Sequence, residues 1–269
     1  MHVASLHLHP LKSCAVLDVD TFEVTPRGPA GDREWLIVDR DARFITARQH
    51  PRVVGIRAMP VAGGLQLDAP GMPTLFVAIP LEGERLRVTI WGDGVDALPA
   101  GDSAAAWLST WLGMPLRLVH LDAAAHRAID PDYARTGDEV SFADAFPLLV
   151  ISQAALDGLN ARLARPVPMA RFRPNLVVAG GAPHAEDGWR RVRIGGVDFD
   201  AVKPCTRCVF TTIDPGTMTR DTDGEPLRTL TSYRRTPPGS PVNGVTFGMN
   251  LIPRGLGRIR RGDPVVVLE

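Results

Sequence analysis

The stretch KPCTRCVFTT at 203–212 sets two thiols, Cys205 and Cys208, three residues apart, with Arg207 between them and Lys203 just upstream. Such a pair can bind zinc, run thiol–disulfide exchange, close a small disulfide or supply one thiolate to another centre. Structural zinc takes four ligands, commonly two CxxC pairs or one CxxC with paired histidines. The only other cysteine is Cys14, and no HxxxH or HxxxxH pair lies near either site, so the spacing argues against zinc. A thioredoxin-like couple expects CxxC at the start of a helix. Here VFTTI follows, β-branched and aromatic, which predicts that the pair enters a strand. Lys203 and Arg207 place positive charge beside the thiols and favour a thiolate, suited to nucleophilic attack or to a soft metal. The plain alternative is two small buried apolar residues. Local chemistry stops at one reactive or metal-ligating cysteine.

Other chemistry-bearing residues are less specific by themselves. His7 and His9 share one face if their segment is a strand. With no third ligand evident, they read as solvent-facing. Lys12 and Ser13 read as a solvated loop, Arg33 as a surface arginine, Arg173 as structural and Asn175 as a turn residue. Asp214, in IDPG, reads as a turn former.

The elements that must position these groups are mostly strands. VASLHLHPL alternates at period two, WLIVD and FITAR are short β-type runs, and LRVTIW stops at the turn signal GDG. SAAAWLSTWLG changes the period: Ser103 is the expected N-cap, Trp107 and Trp111 form an i,i+4 pair belonging to a core, and Gly113 is the expected stop. After a loop at 122–138, FPLLVI at 146–151 reads as a buried strand feeding a helix capped by Ser152, with Leu156, Leu159 and Leu163 as its apolar stripe. NLVVAG, VRIGGVDFDAV and CVFTTI are strand-like again, and GRIRRGDPVVVLE reads as strand, turn and closing strand. PVAGG at 60–64 is a turn. Glycine (26) and proline (24) are spread along the chain, which suits many short strands and a β-barrel-type core.

Composition bounds the partners. The 269 residues form one large domain or two moderate ones, and 30 basic side chains balance 30 acidic ones. No global field points to nucleic acid or an anionic membrane. The N-terminus lacks the pattern of a signal peptide, and no apolar run is long enough to span a bilayer. Three cysteines are too few for a disulfide scaffold, so a cytoplasmic setting is expected.

Five segments together resemble the MOSC family, whose nearest pattern is that of the amidoxime-reducing components and their bacterial counterparts. KPCTRCVFTTIDPGTMTRDTDGEPLRTLTSYR (203–234) is similar to the family signature, with DPGT where the family often has DPxTG. LHLHPLKSC (6–14), GDREWLIVDRDARFITARQHPR (31–52), SFADAFPLLVISQAALDGLN (141–160) and RFRPNLVV (171–178) extend the resemblance over nearly the whole chain. It implies a β-rich α/β protein: a MOSC N-terminal β-barrel-like domain over 1–120, then a MOSC β-barrel domain with a few helices over 121–269.

The resemblance also implies a site. Cys208 would be the catalytic residue and the ligand of the metal in a molybdenum–molybdopterin cofactor. Lys12, Ser13, Arg33, Arg173, Asn175, Thr206 and Arg207 would bind the rest of that cofactor. Asp144, Ala145 and Phe146 would add polar or main-chain contacts, and Cys205 has no assigned role. Chemically the set is coherent. Guanidinium forks suit a phosphate, Asn175 offers donors and acceptors to a pterin edge, and a thiolate suits a soft metal, with Arg207 tuning its charge. The implied activity is reduction of small N-hydroxylated molecules, the oxygen leaving as water. No iron–sulfur motif follows the signature, so a separate ferredoxin-like, flavin- or cytochrome-type donor is expected. Pyridoxal phosphate binding comes with the family description, although no domain for it is evident. Two rival expectations are a non-catalytic carrier of the cofactor and a sulfur-transfer protein with a persulfide on Cys208.

Overall fold

The computed structural model describes all 269 residues and is β-rich, with three α-helices: α1 (Asp102–Leu112), α2 (Gln153–Asn160) and α3 (Leu227–Arg234). Its largest sheet has eight strands in the order 17–19, 2–8, 176–179, 148–152, 246–253, 197–206, 191–194, 265–267. Every pairing in it is antiparallel except 148–152 with 176–179. Strands from the two ends of the chain therefore share one sheet, and residues 2–8 lie directly against 176–179. A second, four-stranded sheet runs 35–38, 117–120, 93–99, 86–90. Smaller units are the sheet 57–61, 64–68, 75–78, the sheet 257–260, 21–25, 28–29, and a two-residue pair at 213–214 and 219–220.

Burial explains the strand sequences. Leu148–Ser152 is buried at every position because the sheet is covered on both faces. Leu148 and Val150 join Val3, Leu6, Phe199 and Met249 on one side. Leu149 and Ile151 join Leu156, Leu159, Phe172, Leu230 and Phe247, contributed largely by α2 and α3, on the other. The N-terminal core is separate, built from Leu11, Trp35, Ile37, Leu65 and Leu67 with Trp107 and Trp111 of α1. The tryptophan pair is core, as its spacing predicts.

Six local expectations need correction. Ser152 precedes α2 without a side-chain cap, its Oγ accepting instead from His184 N–H (3.2 Å), and α2 ends at Asn160, before Leu163. FITAR (44–48) forms only one isolated bridge, at Phe44, and then a turn at 47–49, so Arg48 sits at a bend rather than in a strand. α1 begins two residues earlier than Ser103 implies: Gly101, with φ 84°, precedes Asp102, and no side chain caps the helix. Gly113 does end it, in the left-handed conformation at φ 72°. CVFTTI is not a strand. The 197–206 strand stops at Thr206, and Val209–Thr212 winds into a 3₁₀ turn, with Thr211 N–H donating to Cys208 O (3.1 Å). Finally, His9 lies beyond the strand and is fully buried, because residues 9–12 run alongside 33–35 in hydrogen-bonded contact.

One close approach connects fold to site. Gly28 has φ 110°, and a Cβ there would fall 2.5 Å from the carbonyl oxygen of Pro147. Only glycine lets the 28–29 strand press against the loop that carries Asp144, Ala145 and Phe146. No helix is long and apolar enough to cross a membrane.

Candidate functional site

Strand register explains why distant segments converge. His7 N–H donates to Asn175 O (3.0 Å), and Asn175 Nδ2 donates back to His7 O (3.2 Å). The segment leaving that strand therefore passes Arg173 and Asn175. It then meets the second sheet, where Lys12 N–H donates to Trp35 O (3.0 Å) and Arg33 N–H donates to His9 O (2.9 Å). Cys208 arrives from the far side of the large sheet. The 197–206 strand is paired as far as Thr206 with Thr246, and Arg207 N–H donates to Val245 O (2.7 Å).

Lys12, Arg33, Arg173, Asn175 and Cys208 thereby open onto one cavity of about 500 Å³. Its wall includes Lys12, Ser13, Arg33, Asp144, Ala145, Phe146, Arg173, Asn175, Thr206, Arg207 and Cys208, every position that the resemblance implies for the metal and its cofactor. It also includes Arg48, Trp91, Lys203 and Cys205. Six lining side chains are cationic (Lys12, Arg33, Arg48, Arg173, Lys203, Arg207) and one, Asp144, is acidic. A concave surface with that balance attracts anions.

Four of the wall residues have left-handed backbone: Ser13 (φ 68°), Arg33 (52°), Trp91 (53°) and Arg173 (57°). None is glycine, and each such conformation costs on the order of 1–2 kcal/mol. Backbone of this kind persists where surrounding contacts over-determine it, commonly at binding sites.

The two thiols have different partners. Arg48 Nε donates to Cys208 Sγ (3.1 Å), while Arg207 Nη1 donates to Cys205 Sγ (2.9 Å) and Nη2 to Phe172 O (2.6 Å). Arg207 thus serves the other cysteine of the pair, and the charge facing Cys208 comes from the bend at 47–49. Cys14 is fully buried, and burial pushes its thiol far up, so it stays protonated.

Asp144 links the cations. Its Oδ1 accepts from Lys12 Nζ (2.5 Å) and its Oδ2 from Arg48 Nη2 (2.8 Å). The cavity walls crowd its charge, but Lys12 and then Arg48 outweigh that and hold its carboxyl far below the usual carboxylate range. The loop is clamped from behind by Arg127, which donates to the carbonyls of Ser141 (3.0 Å), Ala143 (2.6 Å) and Asp144 (3.1 Å) and pairs with Asp93 (2.9 Å). Nothing in the loop 122–138 marks Arg127 at the sequence level except its charge.

The opposite wall is a buried network. Arg33 Nη1 donates to Asp32 and to Asn175 Oδ1 (2.9 Å), and Nη2 to Arg173 O (3.2 Å). Asn175 Oδ1 also accepts from Leu149 N–H (3.3 Å), so both acceptor sites of that amide are used and it orients Arg33. Burial, followed by Arg33 and Arg173, pushes His9 well below its usual range, leaving it neutral with Nε2 3.1 Å from Pro174 O. Arg173 Nη1 donates to Cys14 O. Its Nη2 and the Nε of Arg207 are buried without a partner. Burial, then Arg33, lowers the Arg173 pKa from its ordinary value to about 9. Unpartnered buried N–H groups on two arginines are what an anionic ligand would satisfy. Asp214 takes no part in this wall; it accepts from Gly216 and Thr217 N–H in its own turn and pairs with Arg171.

Lys12 yields a pH prediction. Its side chain is 5% exposed, Nζ also donates to Phe142 O (2.7 Å), and burial outweighs Asp144 in lowering its pKa from 10.5 to about 8. Between about pH 8 and 10.5 the unfolded chain binds the proton that the folded protein has released, so stability rises with pH across that window. The gain is at most about 3 kcal/mol. The urea midpoint of ligand-free protein should climb from pH 8 towards 10, and Lys12→Met should flatten the climb. Equal slopes in both proteins would remove Lys12 as the titrating group.

Comparison with known proteins places the MOSC N-terminal beta barrel domain on residues 1–115 and the MOSC domain on residues 137–266. The mitochondrial amidoxime-reducing component 1 of Mus musculus is 38% identical over 99% of this chain and 82% of its own length. That of Homo sapiens is 34% identical over the same shares. Among solved structures, the YUAD protein of Bacillus subtilis aligns over 98% of this chain and 92% of its own, at 12% identity and a TM-score of 0.42.

Proposed function

Because the chain belongs to the MOSC family and shares both domains with the amidoxime-reducing components, we propose that it is a molybdenum-cofactor-dependent oxidoreductase that reduces N-hydroxylated small molecules. The supporting observation is a cavity with six cations, one carboxylate and an arginine-paired thiol, in which buried guanidinium N–H groups lack partners. The donor set fits a phosphate-bearing pterin dithiolene with a soft metal. Cys208 would ligate molybdenum. Arg33 and Arg173, with Lys12, Ser13, Thr206, Arg207 and the main chain of 144–146, would hold the pterin and its phosphate.

When bound, that group supplies the two-electron chemistry of N–O cleavage, two protons being taken up as the oxygen leaves as water. The protein orients and protonates. Lys12 Nζ holds its proton less firmly than a solvated lysine and lies 2.5 Å from Asp144 Oδ1, so this pair can deliver a proton within the cavity. Arg48 aims its Nε–H at the Cys208 sulfur (3.1 Å) and so fixes its direction.

Electrons would come from a separate protein, of ferredoxin-like, flavin or cytochrome type, since three cysteines are fewer than the four thiolates of an iron–sulfur cluster. Three free thiols favour a cytoplasmic site of action. Protein expressed in a host that makes the cofactor should carry molybdenum and pterin near one per chain, and should reduce benzamidoxime with a chemical electron donor. Elemental analysis and pterin fluorescence check the first point, and amidine formation the second. Absence of both metal and pterin would sink the proposal.

A further inference from the structure

Trp91 is placed where a structural tryptophan would not be. It occupies the two-residue turn between strands 86–90 and 93–99, with Gly92, and both residues have positive φ (53° and 104°). Such turns favour Asn-Gly, and an indole there is conformationally costly. Phe44 meets its ring edge-on at 4.9 Å, and the Arg48 guanidinium lies over the ring at 4.5 Å. Yet Trp91 stays 51% exposed while lining the cavity, with Nε1 3.4 Å from Asp144 Oδ1.

We infer that Trp91, together with the Asp144 carboxylate, is the substrate-recognition surface and selects flat, N–H-bearing N-hydroxylated molecules such as amidoximes over alkylhydroxylamines. The inference rests on the reductase reading above. An indole face attracts planar conjugated groups, and cations most strongly. Asp144 is the one anion in the cavity wall, and its side chain is 59% exposed. Oδ1 accepts from Lys12 and from the Trp91 Nε1–H, while Oδ2 accepts only from Arg48, which leaves Oδ2 a second acceptor position. An amidoxime presents a flat N–C–N unit and an amino group to these two partners, and its amidine product is a planar cation. An alkylhydroxylamine has neither the flat face nor the second nitrogen.

The test compares wild type, Trp91→Ala and Trp91→Phe. Steady-state kinetics with a chemical donor are measured on benzamidoxime and on N-methylhydroxylamine, and benzamidine binding by calorimetry on the same proteins. In Trp91→Ala, kcat/KM for benzamidoxime relative to N-methylhydroxylamine should fall about tenfold, carried by KM, and benzamidine should bind about tenfold more weakly, the scale of one good aromatic contact. Trp91→Phe, which keeps an aromatic face, should stay within about threefold of wild type on both readouts. Equal losses on the two substrates, or unchanged benzamidine affinity in Trp91→Ala, would overturn the assignment. A wild type that reduces neither substrate defeats the reductase reading instead. Calorimetry then decides the surface alone, with tenfold weakening supporting it and equal or absent benzamidine binding overturning it.

Discussion

Cys208→Ser is expected to abolish turnover while leaving the pterin in place. The substitution nearly preserves volume, and the main chain at 208 is held from both sides, by the strand that ends at Thr206 and by the 3₁₀ turn whose Thr211 N–H donates to Cys208 O. What changes is the donor atom. A serine hydroxyl does not ionise near neutral pH and offers hard oxygen where a soft metal wants sulfur. Amidoxime reduction should fall at least about a thousandfold, beyond the ten- to hundredfold typical of losing a supporting partner of a metal ligand. Pterin fluorescence should stay within about twofold of wild type, because the contacts proposed for the pterin lie on Arg33, Arg173 and the 144–146 loop; molybdenum content should drop. Cys205→Ser is the comparator. Its sulfur accepts from Arg207, not Arg48, and the loss there should be under tenfold. Activity of Cys208→Ser within tenfold of wild type would end the ligand assignment.

Arg173→Met should separate binding from stability. In the ligand-free protein Arg173 is half-buried beside Arg33, and one of its guanidinium nitrogens is buried without a partner. Burying an incompletely paired charge is costly, and an apolar residue of similar volume relieves that cost. The methionine side chain leaves the Cys14 carbonyl without its donor, a loss of about 1 kcal/mol that offsets part of the gain. Ligand-free Arg173→Met should therefore unfold within about 1 kcal/mol of wild type in urea. Its retention of pterin should nevertheless fall at least about a hundredfold, since a charge-assisted fork to a phosphate is lost. Arg173→Lys should recover only part of that, because an ammonium cannot form the bidentate contact. Wild-type pterin content in Arg173→Met would show that the orphaned nitrogen faces no anion.

These effects bear on how much of the protein is legible in its residues. Period-two alternation located the strand at 2–8, a run ending at a turn signal that at 86–90, an unbroken apolar run that at 148–152, and the i,i+4 tryptophans α1, because side-chain direction along one element depends on local geometry alone. The signature around Cys208 and the four other segments, read as a resemblance, named eleven positions that share one cavity wall. The reading failed where short segments are governed by what lies across from them. FITAR and CVFTTI are β-branched and aromatic, yet one bends and the other winds into a 3₁₀ turn, since neither is offered a continuous partner strand.

By itself, then, the amino-acid order determined a β-rich protein with a few helices, a thiol pair flanked by cations and no metal-binding quartet. The tertiary structure decided which charge meets which thiol. Arg207 is adjacent to Cys208 in the chain but faces Cys205, and Arg48, 160 positions upstream, faces Cys208. It also buried His9, made Arg127 a clamp on the Asp144 loop and set Trp91 at the cavity wall. The reason is physical. Periodicity sets the face a side chain occupies within its own element, but pairing between elements follows from strand register and from hydrogen bonds between segments more than a hundred residues apart, and no local pattern records either.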